Sequence, residues 1–169
     1  ICYQINKGYG DALIQGILNV KTDYFCIFNA DGSFRPDELI KMYRKLDNEG
    51  KDFIFGSRYE KGSSSEDDTI VTYIGNIFFS SFGKIFFSLN ISDILYTFVM
   101  GKTEKAKKLE LKSKDFAFCV ELPIKAKKEG FILDTIPSNE MKRIAGKKKV
   151  NAIKDGLLIL IKMIKLFFF

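Results

Sequence analysis

Two rhythms of apolar residues alternate along the chain. Short apolar runs at 1–5, 24–28, 52–56, 94–100 and 131–136 read as strands. Between them, apolar residues recur every three or four positions and predict helices over 12–20, 36–49, 69–89, 103–111, 116–128 and 151–166. Pro36 stands at a first helical position with Asp37 and Glu38 beside it, and Gly50 stands where a C-cap belongs. The inner face of that helix is expected to carry Leu39, Met42, Tyr43 and Leu46. Strand–helix alternation at this spacing predicts an α/β fold, a mostly parallel sheet flanked by helices. In such a sheet the strand C-terminal ends share one edge, where ligands bind.

Two helices stand out. In 69–89 one half of the wheel holds Thr72, Asn76, Ser80, Ser81, Gly83, Lys84 and Ser88, and the other holds Ile70, Ile74, Ile77, Phe78, Phe82, Ile85 and Leu89. The apolar half is expected to pack in the core, although its phenylalanines also suit lipid. In 151–166, Asn151, Lys154, Asp155, Lys162 and Lys165 gather on one arc, leaving an apolar remainder. That run is too short for a span of about 20 residues. After the basic loop at 138–150 it suits either an amphipathic membrane-surface helix or a terminal helix docked on the core.

The 24–28 run delivers Asn29, Asp31, Gly32 and Ser33 at its end, and the 52–56 run leads directly into Arg58. Asp31 and Arg58 are therefore expected on one sheet edge. Taken alone, Asp31 is equally an ordinary turn cap and Arg58 a surface ion pair. Residues 60–68, small and polar, read as a flexible loop able to order on a ligand.

Composition narrows the chemistry. The 169 residues hold three cysteines without paired spacing and no histidine, which disfavours a disulfide framework, a zinc site and a histidine-dependent hydrolase. Charge is divided: residues 1–100 carry 10 Lys/Arg against 13 Asp/Glu, a net of −3, and residues 101–169 carry 17 against 8, a net of +9. A basic rear points to an anionic partner at one end. The 143–149 loop lacks the interleaved aromatics of a single-strand platform, so nucleic acid is not the expected partner. Because 1–5 already reads as a strand, the chain is expected to begin inside a fold.

Several pieces, in order and spacing, resemble the family 2 glycosyltransferases of the GT-A fold, nearest to the polyprenyl-phosphate sugar transferases typified by dolichol-phosphate mannosyltransferase. They are Asn6-Lys-Gly-Tyr-Gly-Asp-Ala, Asn29-Ala-Asp-Gly-Ser, Gly56-Ser-Arg-Tyr, Asn76 in the long helix, Asp93 before a strand, Glu121 in a helix, and the Arg143-x-x-Gly-x-x-Lys loop. The resemblance runs from Asn6 to about Val150, so residues 1–150 are expected to form a partial catalytic domain and 151–169 the appended helix. It implies transfer of a sugar from a nucleotide-sugar donor to a polyprenyl phosphate. Asp31 would be a ligand, with Asn29, of a divalent metal (Mg2+ or Mn2+), and Ser33 would flank it. Asp31 and Arg58 would be the principal catalytic residues. Asn76, Asp93 and Glu121 would line the substrate site, and Arg143, Lys148 and Lys149 would face the phosphates. A hard cation accepts carboxylate oxygen and neutralises a departing diphosphate, and a lipid phosphate needs no strong base. The resemblance places the protein in the cytoplasm, peripheral at the inner face of the membrane.

The chain departs from the family pattern at four places. Asn29 replaces the first Asp of the usual pair, no basic residue opens the long helix, Thr97-Phe98-Val99 stands where Gly-Phe-Arg is usual, and the nucleotide-binding N-terminal strand is missing. Activity is thus expected of a longer parent rather than of these residues alone. Two alternatives accompany this reading. One is a glycosyltransferase acting on a polysaccharide or glycolipid hydroxyl, with Glu121 or Asp93 as base. The other is a non-catalytic module that binds anionic lipid.

Overall fold

The structure, a computed structural model, describes residues 7–145 and 151–168. In chain order it comprises α1 (Tyr9–Asn19), β1 (Tyr24–Ile27), α2 (Pro36–Asn48), β2 (Phe53–Ser57), β3 (Ser64–Ser65), α3 (Ile70–Phe87), β4 (Val99–Lys102), α4 (Thr103–Lys108), α5 (Phe118–Lys128), β5 (Leu133–Pro137), β6 (Asn139–Glu140) and α6 (Ala152–Phe168). The expected strand at 1–5 lies outside the described residues.

The main sheet has the order β1-β4-β2-β5. β4 runs antiparallel to both β1 and β2, while β2 and β5 are parallel. Three strands therefore share one direction, and β4 is reversed between two of them. This reversal was not legible in the hydrophobic pattern, which is the same for a strand run in either direction. It has a consequence for the site. The C-terminal ends of β1, β2 and β5 meet the residues that precede β4, so 29–33, 58–59, 93–97 and 138–144 gather on one edge.

β2 is buried along its whole length, with Phe53, Ile54 and Phe55 all inside. Both of its faces are covered. On one, Phe34, Met42, Leu46, Ile54, Phe98 and Ile136 join α2 to the sheet. On the other, Phe25, Phe53 and Phe55 pack with residues of α1, α5 and α6. Replacing Leu46, which is completely enclosed, by Ala costs about 2–5 kcal/mol through transfer and cavity terms. Gly101 makes the sheet closable here, because a Cβ at that position would lie 2.4 Å from the Phe53 ring and 2.9 Å from that of Phe25. Tyr43, expected on the inner face of α2, is exposed and meets Tyr24 edge-on.

Residues 60–68 are not the free loop that their composition suggests. Ser64 and Ser65 form β3 and pair in parallel with Asn139 and Glu140 of β6, a two-residue ladder too short to show in sequence. The run at 94–100 is likewise shorter as a strand. Its start is a turn in which Tyr96 N–H donates to Asp93 O at 3.2 Å.

α3 contradicts the expectation of an apolar face in the core. Its buried residues are Asn76, Phe79, Ser80 and Gly83, while Ile70, Val71, Ile74, Phe78 and Ile85 stand in the open, Ile70 at 79% exposure. The polar stripe packs inward because the domain offers it partners: Ile94 N–H donates to Ser80 Oγ at 3.1 Å, and Asn76 donates to Asp93. α6 lies beside it, with Phe167 edge-on to Phe86 at 5.5 Å and to Phe87 at 6.0 Å. Lys162, on the polar arc of α6, reaches Glu121 of α5 at 2.9 Å.

Candidate functional site

Asp31 occupies the turn after β1. Its Oδ1 accepts from Ser33 N–H at 3.0 Å and from Ser33 Oγ at 2.6 Å, which fixes the carboxylate plane. Ser33 is thus buried behind Asp31 as its support. Oδ2 points outward, 3.6 Å from a guanidinium nitrogen of Arg143. Burial raises the Asp31 carboxyl, but the two Ser33 bonds and the Arg143 charge outweigh it and hold it below the ordinary range. It is therefore ionised at neutral pH. Asn29 is half-buried beside it, and its amide makes no hydrogen bond among the described residues. An open cleft of about 510 Å³ adjoins this turn, lined by Phe28, Asn29, Gly32, Phe34, Arg35 and Met141.

The oxygen donors Asp31 Oδ2 and the Asn29 amide are the type a hard divalent cation takes. They amount to one charge, so such an ion would draw the rest of its shell from ligand oxygens and water. Among the described residues no group of three His, Cys, Asp or Glu side chains is placed to hold a metal. The residues present fit a cation completed by a diphosphate rather than one caged by protein.

Arg58 shares this edge, as expected, but it does not face outward. Its Nε donates to Asp93 Oδ2 at 2.7 Å, Nη2 to Asp93 Oδ1 at 3.0 Å and Nη1 to Glu140 Oε2 at 3.0 Å. The Tyr96 ring lies 4.5 Å below the guanidinium carbon. Burial opposes the charge, yet Asp93 and Glu140 more than offset it and raise the group above its ordinary value. Asp93 is wholly enclosed, with Arg58 N–H and Asn76 as further donors. Arg58, Asp93 and Asn76, each expected to meet phosphate or substrate, therefore bond to one another in an internal network. Two carboxylates and a buried arginine pair with one another here, and Ser65 Oγ donates to Glu140 Oε2 as well.

Glu121 is also removed from the edge. It accepts from Ser113 N–H at 2.6 Å, Lys112 N–H at 3.0 Å and Lys162 at 2.9 Å, tying α5 to α6. Its oxygens are engaged from within the domain, by Lys125 of α5 as well. Val99, which stands where the family's Gly-Phe-Arg has its Arg, is buried at the start of β4, and Phe98 before it stacks on Phe34 at 4.7 Å.

Arg143 does face Asp31, and it also binds Asp67, through Nη2 at 3.0 Å and Nε at 3.2 Å. Asp67 was missed from sequence because it sits in the 60–68 run. The available signal was the acidic Glu66-Asp67-Asp68 opposite a basic loop. Lys148 and Lys149 lie outside the described residues. The buried Cys119 thiol is pushed up to about 12 by burial and supplies no nucleophile at neutral pH.

Comparison with known proteins bears on the family and the fold. Residues 2–110 match glycosyl transferase family 2. The chain is 25% identical over 142 residues to a UDP-N-acetylglucosamine–dolichyl-phosphate N-acetylglucosaminyltransferase of Methanococcus voltae, covering 81% of this chain and 57% of that protein. It is 28% identical over 170 aligned positions to an uncharacterised protein of Methanocaldococcus jannaschii, covering 97% of this chain and 70% of that one. Among solved structures, glucosyl-3-phosphoglycerate synthase of Mycobacterium tuberculosis with Mn2+, UDP and phosphoglyceric acid superposes with a TM-score of 0.70 at 10% identity, over 97% of this chain and 55% of that one. The same enzyme with Mn2+ and UDP-glucose gives 0.70 at 12%, over 98% and 56%. The fold is thus that of the GT-A glycosyltransferases, and the chain spans little more than half the length of the Methanococcus and mycobacterial proteins. With the family match covering more than half of its residues, this chain belongs to glycosyl transferase family 2.

Proposed function

We propose that the chain carries part of the donor site and the acceptor side of a membrane-surface glycosyltransferase that moves a sugar from a nucleotide-sugar to a polyprenyl phosphate. The observation that carries this reading is the inverted α3. A helix that buries Asn76, Ser80 and Gly83 and turns Ile70, Ile74 and Ile85 outward is covered by something apolar. α6 extends the same face with Ile153, Leu157, Ile161 and Phe168. By length and composition alone α3 is able to cross a bilayer. Asn76 and Ser80 of its polar stripe, however, are bonded to Asp93 and to the backbone at Ile94, so it lies in the interface instead.

The apolar face begins beside the site. Ile70 is three residues from Asp67, which binds Arg143, which faces Asp31. An acceptor whose tail is lipid and whose head is phosphate fits that juxtaposition, and the dolichyl-phosphate relative supports it. Asp31 and Asn29 would hold a divalent cation, as the Mn2+ complexes of the fold relatives suggest, and such an ion would neutralise charge on the leaving diphosphate. Arg143 pairs with acceptor phosphate, already anionic at neutral pH. A hydroxyl acceptor is disfavoured, because Glu121 and Asp93, the carboxylates it would need as base, are both saturated from within. The basic rear of the chain suits the anionic cytoplasmic leaflet.

The test is transfer of labelled sugar to polyprenyl phosphate in membranes that contain the full-length parent. Asp31→Ala should abolish it at any Mn2+ concentration, and undiminished transfer would sink the role of Asp31. Flotation with phosphatidylglycerol vesicles tests the face separately: Ile74→Asp should reduce binding, and equal binding would remove α3 from the interface.

A further inference from the structure

The segment 141–144 is strapped across the Asp31 turn by its backbone. Met141 N–H donates to Ser33 O at 2.9 Å and Ile144 N–H to Asp31 O at 2.8 Å. Gly32, at φ +84°, makes the close approach possible, since a Cβ there would lie 2.6 Å from Ile144 Cδ1. On its far side the strap is held by Glu66, whose carboxylate accepts from Lys142 N–H at 3.2 Å. Arg143 is thus placed by main-chain bonds between two carboxylates, with its charge 3.6 Å from Asp31 and 3.0 Å from Asp67.

Asp31 has one oxygen to offer. Oδ1 is committed to Ser33, so a cation takes Oδ2, the oxygen that Arg143 faces. We propose that Asp67 is a positioning residue: its bonds to Arg143 hold the guanidinium back from Asp31 Oδ2, for which a divalent cation competes, so that the cation takes that oxygen while Arg143 stays on Asp67. The inference rests on the reading of Asp31 as the cation ligand. Two positive groups at one carboxylate repel each other, and the second carboxylate at 3.0 Å offsets that repulsion. The arrangement also leaves Arg143 beside the bound cation, where an incoming phosphate meets both charges.

Mn2+ affinity of the full chain, measured by the free-ion electron paramagnetic resonance signal with Mn2+ alone and with UDP added, tests this. Arg143→Gln should tighten Mn2+ binding about two- to fivefold, the scale of a part-exposed ion pair. Asp67→Asn should weaken it by a similar factor, because Arg143 then has only Asp31. In the double variant the Asp67→Asn effect should vanish, because Asp67 acts through Arg143. If Asp67→Asn weakens binding equally with and without Arg143, its charge acts only through space and the positioning role is overturned. Weaker binding in Arg143→Gln would overturn the competition. Should that variant melt early, Arg143→Met carries the same expectation. Asp31→Asn should abolish Mn2+ binding in every background, and unchanged binding there would instead remove the metal reading itself.

Discussion

Asp31 and Asp93 stand on the same sheet edge, each beside an arginine, yet their surroundings differ. Asp93 has no exposed surface, and both of its oxygens are bonded, by Arg58 and Asn76. Asp31 is part-exposed, with one oxygen fixed by Ser33 and the other facing Arg143 at 3.6 Å. A carboxylate whose partners are all internal has its solvation replaced by the fold and holds the edge together. One with an uncommitted oxygen keeps capacity for a ligand. The difference separates scaffold from site among residues of identical chemistry.

The contrast is most severely tested at Arg58. Arg58→Met leaves Asp93 and Glu140 without their counter-charge and should cost about 3–5 kcal/mol of stability, read from the denaturant midpoint. A variant as stable as the parent would return Arg58 to the substrate contacts.

A smaller effect is expected at Glu121, the second saturated carboxylate. Burial raises it, but Lys162 and the Ser113 N–H outweigh burial and hold it below its ordinary value. A carboxyl lowered by folding contributes stability that is complete above its unfolded value of about 4.3 and is lost as pH falls through the lower folded one. The thermal midpoint should therefore drop on acidification below about pH 4, and Glu121→Gln should flatten that limb. An unchanged acid limb would show that the α5–α6 tie carries none of this stability.

Asn29→Asp restores a second charge beside Asp31 and should tighten Mn2+ on the order of tenfold, measured by calorimetric titration. No gain would place Asn29 outside the ion's reach. The smallest effect on folding is expected from Asp31→Ala, less than about 1 kcal/mol, as for other part-exposed pairs. A loss as large as that of Arg58→Met would erase the distinction between the two carboxylates.

Much of the edge was legible beforehand. α2 starts at Pro36 and ends beside Gly50, and β1 ends just before Asn29, because caps, proline and an aromatic run act over a few residues. The reversal of β4 and the β3–β6 ladder were not legible, since strand direction and a two-residue pairing depend on partners far along the chain. Arg58 was placed on the correct edge but with the wrong orientation. Its sequence neighbours carry no sign of Asp93 or Glu140, 35 and 82 positions away.

The sequence by itself determined the α/β alternation, the position of Asp31 after a buried strand, the separation of charge and the family resemblance, all properties of local pattern and order. Only the tertiary structure decided which carboxylates are spent. Whether Asp93, Glu121 or Asp31 retains an oxygen for a ligand depends on which donors the fold brings to it. Likewise, whether the apolar half of α3 faces in or out was decided by Asp93 and the backbone at Ile94, which bind its polar stripe and leave the isoleucines outside.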